Sequence, residues 1–437
     1  MLPPEALTGL LAFLATAVVP AVLVRLARGD STDPRFVFPL LYAGLTAGPA
    51  IWVALGGAFY AGVEVDELSH VFLVCSGAVV AFVVGASVTM RGVPAARPVL
   101  VTPDLVSARW IAIGVLALLL LAYGYASVQL KGSSPDALKA QVLLRGSPAV
   151  VRAYYLFSAA CFVAGTLVVV LDSAVTRGRM TIELALLFLV YAAIQTWNDE
   201  REIALVVVGW LLMNARSRGR RVVLAVVVGT AFFVSAVAYL RAGTNIDDRL
   251  SMVRQSSTDD LVETLLTKSS SNLFVMTKIS RWVPEREPLR LGRTYVESFR
   301  SFLPGAPSKG LSDWFKERYA PGAASGYGFA MDAEAYLNFG WLGPPVVFFA
   351  WGAGLGALYR RTRRRQATWF AHYLWILMLT YSAFAIRADS RALLKIFIYG
   401  LVAGAAIAIA AVVMGRRGGA AMKHGPRPAR LRERHDG

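Results

Sequence analysis

Charge is scarce in this chain. Only 17% of its 437 residues are Asp, Glu, Lys or Arg, whereas a soluble globular chain carries about 25%. Cysteine is scarcer still. Cys75 and Cys161 both fall inside apolar runs, with no metal-ligand spacing and no evident disulfide. The four histidines, His70, His372, His424 and His435, are scattered, and none lies between Arg241 and Gly340. Metal centres and Cys–His catalysis therefore find little support. There is no G-x-x-x-x-G-K-[ST] phosphate loop, no G-x-S-x-G, no H-E-x-x-H and no G-x-G-x-x-G. Internal repeats and low-complexity tracts are also missing. The absence of repeats counts against a transporter built from matched halves.

Apolar sequence is what the chain has in quantity. Hydrophobic residues make up 56% of it, and the mean hydropathy is +0.53. Runs long enough to cross about 30 Å of hydrocarbon recur throughout. They predict an all-α polytopic membrane protein with eleven transmembrane helices, near 6–24, 36–58, 69–89, 110–128, 151–171, 181–197, 202–215, 222–240, 341–359, 367–386 and 392–414. The first run has no basic residues before it and no convincing cleavage site after it, so it counts as a span. The chain divides into spans over 1–240, a long polar loop over 241–340, spans over 341–415, and a Gly-, Pro- and Arg-rich tail over 416–437 expected to be disordered.

The formal net charge of +17 raises the question of nucleic acid. Its placement answers it. Basic residues gather in alternate loops: Arg25, Arg28 and Arg35; Arg91, Arg97 and Arg109; Arg177 and Arg179; Arg216 to Arg221; Arg360 to Arg365; and the tail. The loop at 61–68 has none. This is the positive-inside bias. It predicts a multi-pass protein of the plasma (inner) membrane, with the N-terminus outside, the C-terminus in the cytoplasm and the 241–340 loop outside. Within that loop 13 Lys/Arg face 12 Asp/Glu. The excess charge is topological and its partners are membrane lipids, not nucleic acid.

Two places break the run of plain spans. The apolar stretch Ile203–Ala215 is 13 residues long and reaches only about 20 Å. Its helix is expected to begin within Asn198-Asp-Glu-Arg-Glu202, which sets charge at the membrane boundary, a costly and often functional position. The other break is the long loop, since ordered loops of this size are usually functional. SSTDDLVETLLTKSSSNLFVMTKISRWV reads as amphipathic helix, LGRTYVESFRSFLPG as a short helix stopped by Pro304, and GAPSKGLSDWFKERYAPGAASGYG as an irregular path fixed by glycine and proline.

The candidate site residues come from these regions. Arg201, Arg241 and Arg387 sit at predicted outer span ends, where arginine is disfavoured unless something uses it. Guanidinium groups grip phosphate with two prongs, so three converging ones would make a diphosphate clamp. The alternative is local pairing: Arg201 with Glu202, Arg241 with Asp247, Arg387 with Asp389. Glu334 and Asp332 in AMDAEAYLNFGWLG are candidate general bases if burial raises their pKa. Otherwise they are helix N-terminal carboxylates favoured by the dipole. Trp282, Trp314, Tyr319 and Tyr327 are candidate glycan-stacking residues. Tyr336 joins them, or else belongs to an interfacial aromatic belt.

Taken in order, these features resemble a known family. A polar break with arginine opens a span (Asn198 to Glu202), and a span ends in an arginine–glycine turn (Arg241-Ala-Gly243). A long loop with a Leu303-Pro304 stop follows. The pattern closes on E-x-Y-x-N-F-G-x-x-G, at Glu334, Tyr336, Asn338, Phe339, Gly340 and Gly343. Over residues 180–400 the chain resembles the bacterial oligosaccharide repeat-unit polymerases, the Wzy-type O-antigen and exopolysaccharide polymerases. The resemblance implies a GT-C-like membrane glycosyltransferase, metal-independent and without a cofactor. Its partners would be undecaprenyl-diphosphate-linked oligosaccharides and other polysaccharide-assembly proteins. Arg201 and Arg241, with Arg387 as a third candidate, would hold the donor diphosphate, and Glu334 would lie near the acceptor. The related O-antigen ligases use a loop histidine, which this loop lacks. A ligase or other lipid-linked-sugar transferase is the alternative, and a flippase for lipid-linked glycans the alternative of another class.

Overall fold

Helix starts are written into the sequence. Asp33 caps the second helix by accepting a hydrogen bond from the Arg35 N–H, with Pro34 next in line. Ser147 and Thr181 cap two more in the same way, through Val150 and Leu184. The structure is a computed structural model and describes residues 2–28, 32–58, 62–93, 103–131, 147–176, 179–198, 200, 202–214, 263, 266–267, 270–301, 310–319, 321, 327–364, 367–385 and 387–423. Among these residues every regular element is helical: α1 (Pro4–Arg28), α2 (Pro34–Ala54), α3 (Leu68–Thr89), α4 (Pro103–Lys131), α5 (Pro148–Val175), α6 (Ile182–Trp197), α7 (Glu202–Asn214), α8 (Ser270–Trp282), α9 (Arg293–Arg300), α10 (Leu311–Tyr319), α11 (Met331–Phe339), α12 (Gly343–Thr362), α13 (Trp369–Ala385) and α14 (Ser390–Lys423). Short 3-10 turns precede α3 and α12.

Among the described residues, seven stretches are long and apolar enough to cross a membrane, and α6 and α7 are shorter apolar helices. The chain is a polytopic all-α membrane protein. Its outward face inverts the soluble pattern: Leu11, Leu26, Leu118, Leu121 and Ile409 are all exposed, as suits a lipid solvent. Of the eleven expected spans, 222–240 lies outside the described residues. The helix after the NDERE break begins at Glu202, the last residue of that run. The tail is corrected in part. Residues 416–423 continue α14 as helix, because Arg416 to Lys423 contains no proline to stop it. Residues 424–437 lie outside the described residues.

The tightest helix pair is α3 with α12. A Cβ on Gly352 would meet the Phe82 carbonyl, one on Gly85 the Phe349 carbonyl, and one on Gly356 the Ala86 carbonyl and Thr89 hydroxyl. Small residues four apart let two backbones touch, which is how helices associate where no hydrophobic force separates protein from lipid. Pro345 lies against Gly77, so α3 overshoots the start of α12 by about two turns. The helix α11 fills that step.

Chain alternation gives the bundle two chemically distinct ends. At the arginine end, Arg35 holds Asp33 at 2.7 Å and Ser87 at 3.3 Å. Arg109 holds Asp172 at 2.8 Å and lies over the Trp110 ring. Arg363 reaches Thr32 at 2.9 Å. The opposite end, called here the loop end, carries the 3-10 turn before α3 and the helices α8 to α11.

Candidate active site

The loop end is built around α11, whose two faces do different jobs. Glu334 and Asn338 are four residues apart and share one face. Glu334 is fully buried. Its Oε1 accepts from the Thr294 hydroxyl and the Ser390 hydroxyl, both at 2.7 Å, and its Oε2 accepts from the Ser390 N–H at 2.6 Å. Asn338 donates to Thr294 Oγ1 at 2.7 Å and accepts from the Gly292 N–H at 2.9 Å. Two backbone bonds complete the seam, from Arg290 to the Leu337 carbonyl and from Leu291 to the Asn338 carbonyl. This face therefore fastens the segment before α9, α9 itself and the start of α14 together.

Asp332 and Tyr336 share the other face. Asp332 Oδ2 accepts from the Tyr42 hydroxyl at 2.6 Å and lies 4.0 Å from Cys75 Sγ. The Tyr336 hydroxyl is 3.0 Å from His70 Nε2. This face docks α11 on α2 and α3. Gly340 then turns the chain with φ of 62°, a left-handed conformation open to glycine. Gly343 lets α12 fold back against the Ala335 carbonyl, where a Cβ would collide. Eight residues along an unbroken helix would be about 12 Å away. The E-x-Y-x-N-F-G-x-x-G pattern is thus a joint, with Glu334 and Asn338 sharing Thr294 on one face and Tyr336 held by His70 on the other.

The loop helices pack on this joint through aromatic rings. Trp282 and Tyr319 have centroids 4.3 Å apart, Trp314 and Tyr319 5.6 Å, Phe315 and Tyr327 5.7 Å, and Phe274 and Tyr327 5.0 Å. The Arg290 guanidinium lies 4.0 Å over Trp314, where burial lowers its pKa. Trp282, Trp314, Tyr319 and Tyr327 therefore stand in one cluster, half-buried and stacked largely on each other. Tyr336 is not among them; it is buried on the opposite side with His70. The helix α10 runs through the stretch expected to be irregular. Phe315 and Leu311 bury its inner side, and tertiary packing of two apolar residues overrides the glycines and prolines around it.

Ion pairs hold the loop from its other flank. Glu64 meets Lys278 and, at 2.6 Å, Arg281, while Ser280 donates to Glu67. The Lys278 hydrogen bond is the main reason that the Glu64 carboxyl is held below its ordinary value. Burial would raise the pKa of Glu287, but the bond to Arg318 at 2.8 Å, a bond to Tyr319 and the nearby charges of Arg318 and Arg290 together outweigh it and the pKa falls.

Of the three candidate diphosphate ligands, Arg201 and Arg241 lie outside the described residues. Arg387 sits between α13 and α14, with its carbonyl beside Gly328, three residues from the Ser390 that binds Glu334. Its expected partner Asp389 accepts from the N–H groups of Leu311 and Ala392. Next to Arg201, Glu200 is buried and accepts from the Tyr154 hydroxyl at 2.9 Å, and Asn198 donates to Ser127 at 2.7 Å. The break after α6 is therefore pinned to α4 and α5. Among the described residues, no three of His, Cys, Asp or Glu stand close enough to hold a metal ion.

Sequence reasoning missed His70, whose role depends on a tyrosine 266 residues away. It missed Thr294 and Ser390 for the same reason: hydroxyl residues carry no signal until their partner is known.

The joint, the loop helices and Arg387 all lie in the part of the chain that one comparison picks out. Residues 203–417 match the family model for O-antigen polysaccharide polymerase Wzy. Over this stretch the chain is similar to the Wzy type. No curated protein and no solved structure matches it. The Wzy match begins within α7 and ends within α14, so it takes in every partner of Glu334. A Wzy-type chain is a polymerising, glycosyltransferase-like enzyme of O-antigen assembly.

Proposed function

We propose that this Wzy-type chain joins oligosaccharide repeat units carried on undecaprenyl diphosphate, at the outer face of the plasma membrane. In this reading the loop end faces outside and the arginine end faces the cytoplasm, in line with the positive-inside bias. An acceptor hydroxyl oxygen attacks the anomeric carbon of the donor chain, and its proton passes to the departing diphosphate oxygen. The bond from that carbon to the diphosphate breaks, and the lipid diphosphate leaves with the electron pair. Arg201, Arg241 and Arg387 hold the donor diphosphate and neutralise its growing charge. The cluster of Trp282, Trp314, Tyr319 and Tyr327 supports the glycan path.

The carboxylates take a different role from the bases first expected. Glu334 is enclosed and engaged by three donors. We assign it, with Asp332, to positioning the loop over the bundle. The observation that carries the proposal is this joint: it fixes a long polar loop on the membrane bundle, inside the matched region and opposite the arginine end.

The test is the lipid-linked glycan pattern of a strain lacking the gene, complemented with Arg201→Ala or Arg241→Ala. Accumulation of single repeat units in all three supports polymerisation. Completed polymer trapped on its carrier would instead mark a ligase. Normal polymer from both variants would remove the diphosphate role of these arginines.

A further inference from the structure

We infer that the groove between α12 and α13 at the arginine end is a binding site for an anionic glycerophospholipid. The groove encloses about 490 Å³, within the usual range of small-molecule sites, about 300–1,000 Å³. Its mouth carries Arg361 and Arg364, and its wall is formed by Leu358, Phe370 and Leu374. Both arginines are exposed. Neither guanidinium meets a carboxylate among the described residues. Arg35 and Arg109 at the same end are held by Asp33 and Asp172. Arg361, in the last turn of α12, and Arg364, just past its end, both line the groove, so both can face one ligand.

The order of chemistry along the groove is that of a phospholipid. Leu358 lies one turn inward of Arg361 on α12, and Leu374 one turn inward of Phe370 on α13. A phosphate between the two guanidiniums would leave an acyl chain lying along the three apolar side chains. Basic pockets between helix ends bind anionic headgroups in this manner. Inward of the arginines the walls are mainly apolar, with Thr368 the one uncharged polar residue in the lining, which suits a lipid tail and adds little for free phosphate. The orientation proposed above decides only which leaflet supplies the lipid. The headgroup chemistry stands without it.

The test is native mass spectrometry of the full chain in detergent, with phosphatidylglycerol or phosphatidylcholine added. The intact chain should retain phosphatidylglycerol preferentially. Each basic residue near a charged lipid contributes roughly fivefold, so Arg361→Ala with Arg364→Ala should weaken phosphatidylglycerol retention about thirtyfold. Phosphatidylcholine retention should not change. Arg91→Ala, at an exposed arginine of the same end, should leave the preference intact. An equal loss in Arg91→Ala would reduce the effect to general charge and overturn the site. So would wild-type chain that holds both lipids equally, or bound lipid displaced by inorganic phosphate alone.

Discussion

Removing the Glu334 carboxylate separates a positioning role from a chemical one. Glu334→Ala strands three donors, the Thr294 hydroxyl, the Ser390 hydroxyl and the Ser390 N–H. Each buried donor left without a partner costs about 1–3 kcal/mol. The joint should therefore open more easily by about 3 kcal/mol or more, roughly a hundredfold in the opening equilibrium. Glu334→Gln is milder. Its carbonyl can still accept from the Ser390 N–H, and the two hydroxyls can rotate to accept from its amide. A loss of about 1–1.5 kcal/mol, near tenfold, is expected. The assay is amide hydrogen exchange over residues 293–300 in the full chain in nanodiscs, run beside polymer formation in cells. Exchange should rise about tenfold in Gln and a hundredfold in Ala, with polymer reduced in the first and lost in the second. Thr294→Ala should add little in the Gln background, because both changes open one contact. A Gln variant with normal exchange and no polymer would refute the reasoning and return Glu334 to the chemistry as a base.

Other outcomes follow from the same geometry. Gly352→Leu drives a side chain into the Phe82 carbonyl, so it should lower the melting temperature and membrane accumulation by an overpacking cost of about 1–3 kcal/mol. Gly354→Leu, with nothing within 4 Å, should do neither. The Glu64 carboxyl is held below 4.5 by Lys278, with Arg281 adding to the effect against the pull of burial. A depressed carboxylate stabilises fully at neutral pH and loses its contribution as pH falls below that value. Exchange in α8 should therefore rise below about pH 4.5 in the native chain, and Glu64→Gln should flatten that step. Reporters fused after Arg221 and after Arg365 should report cytoplasm, and those placed within 250–330 should report outside; an inside signal from the loop would contradict the proposed orientation.

The bundle was legible because lipid imposes a coarse rule. Long apolar runs and alternating arginines needed no partner to be read, and α1 to α5 fall where hydropathy puts them. The loop was legible only where its pattern was local. Helix α9 was readable, whereas α10 was not, since Leu311 and Phe315 fix it through neighbours distant in sequence; the expected stop at Pro304 lies outside the described residues. The closing motif drew attention to α11, yet it could not say what its residues hold. Glu334 looks the same in one dimension whether it is a base or a tie. Only the arrival of Thr294 from one side and Ser390 from the other distinguishes the two.

Those two partners also set an order on biosynthesis. Thr294 leaves the ribosome about forty residues before Glu334, and Ser390 more than fifty after it. Until α14 has been threaded, Glu334 has one of its three donors, and nothing from that helix yet ties α9 and α11 together. A chain cut short before α14 would hold the earlier spans and the ring cluster of the loop, yet Glu334 would lack its tie to Ser390. Completion of α14 is thus the step that closes the joint around Glu334.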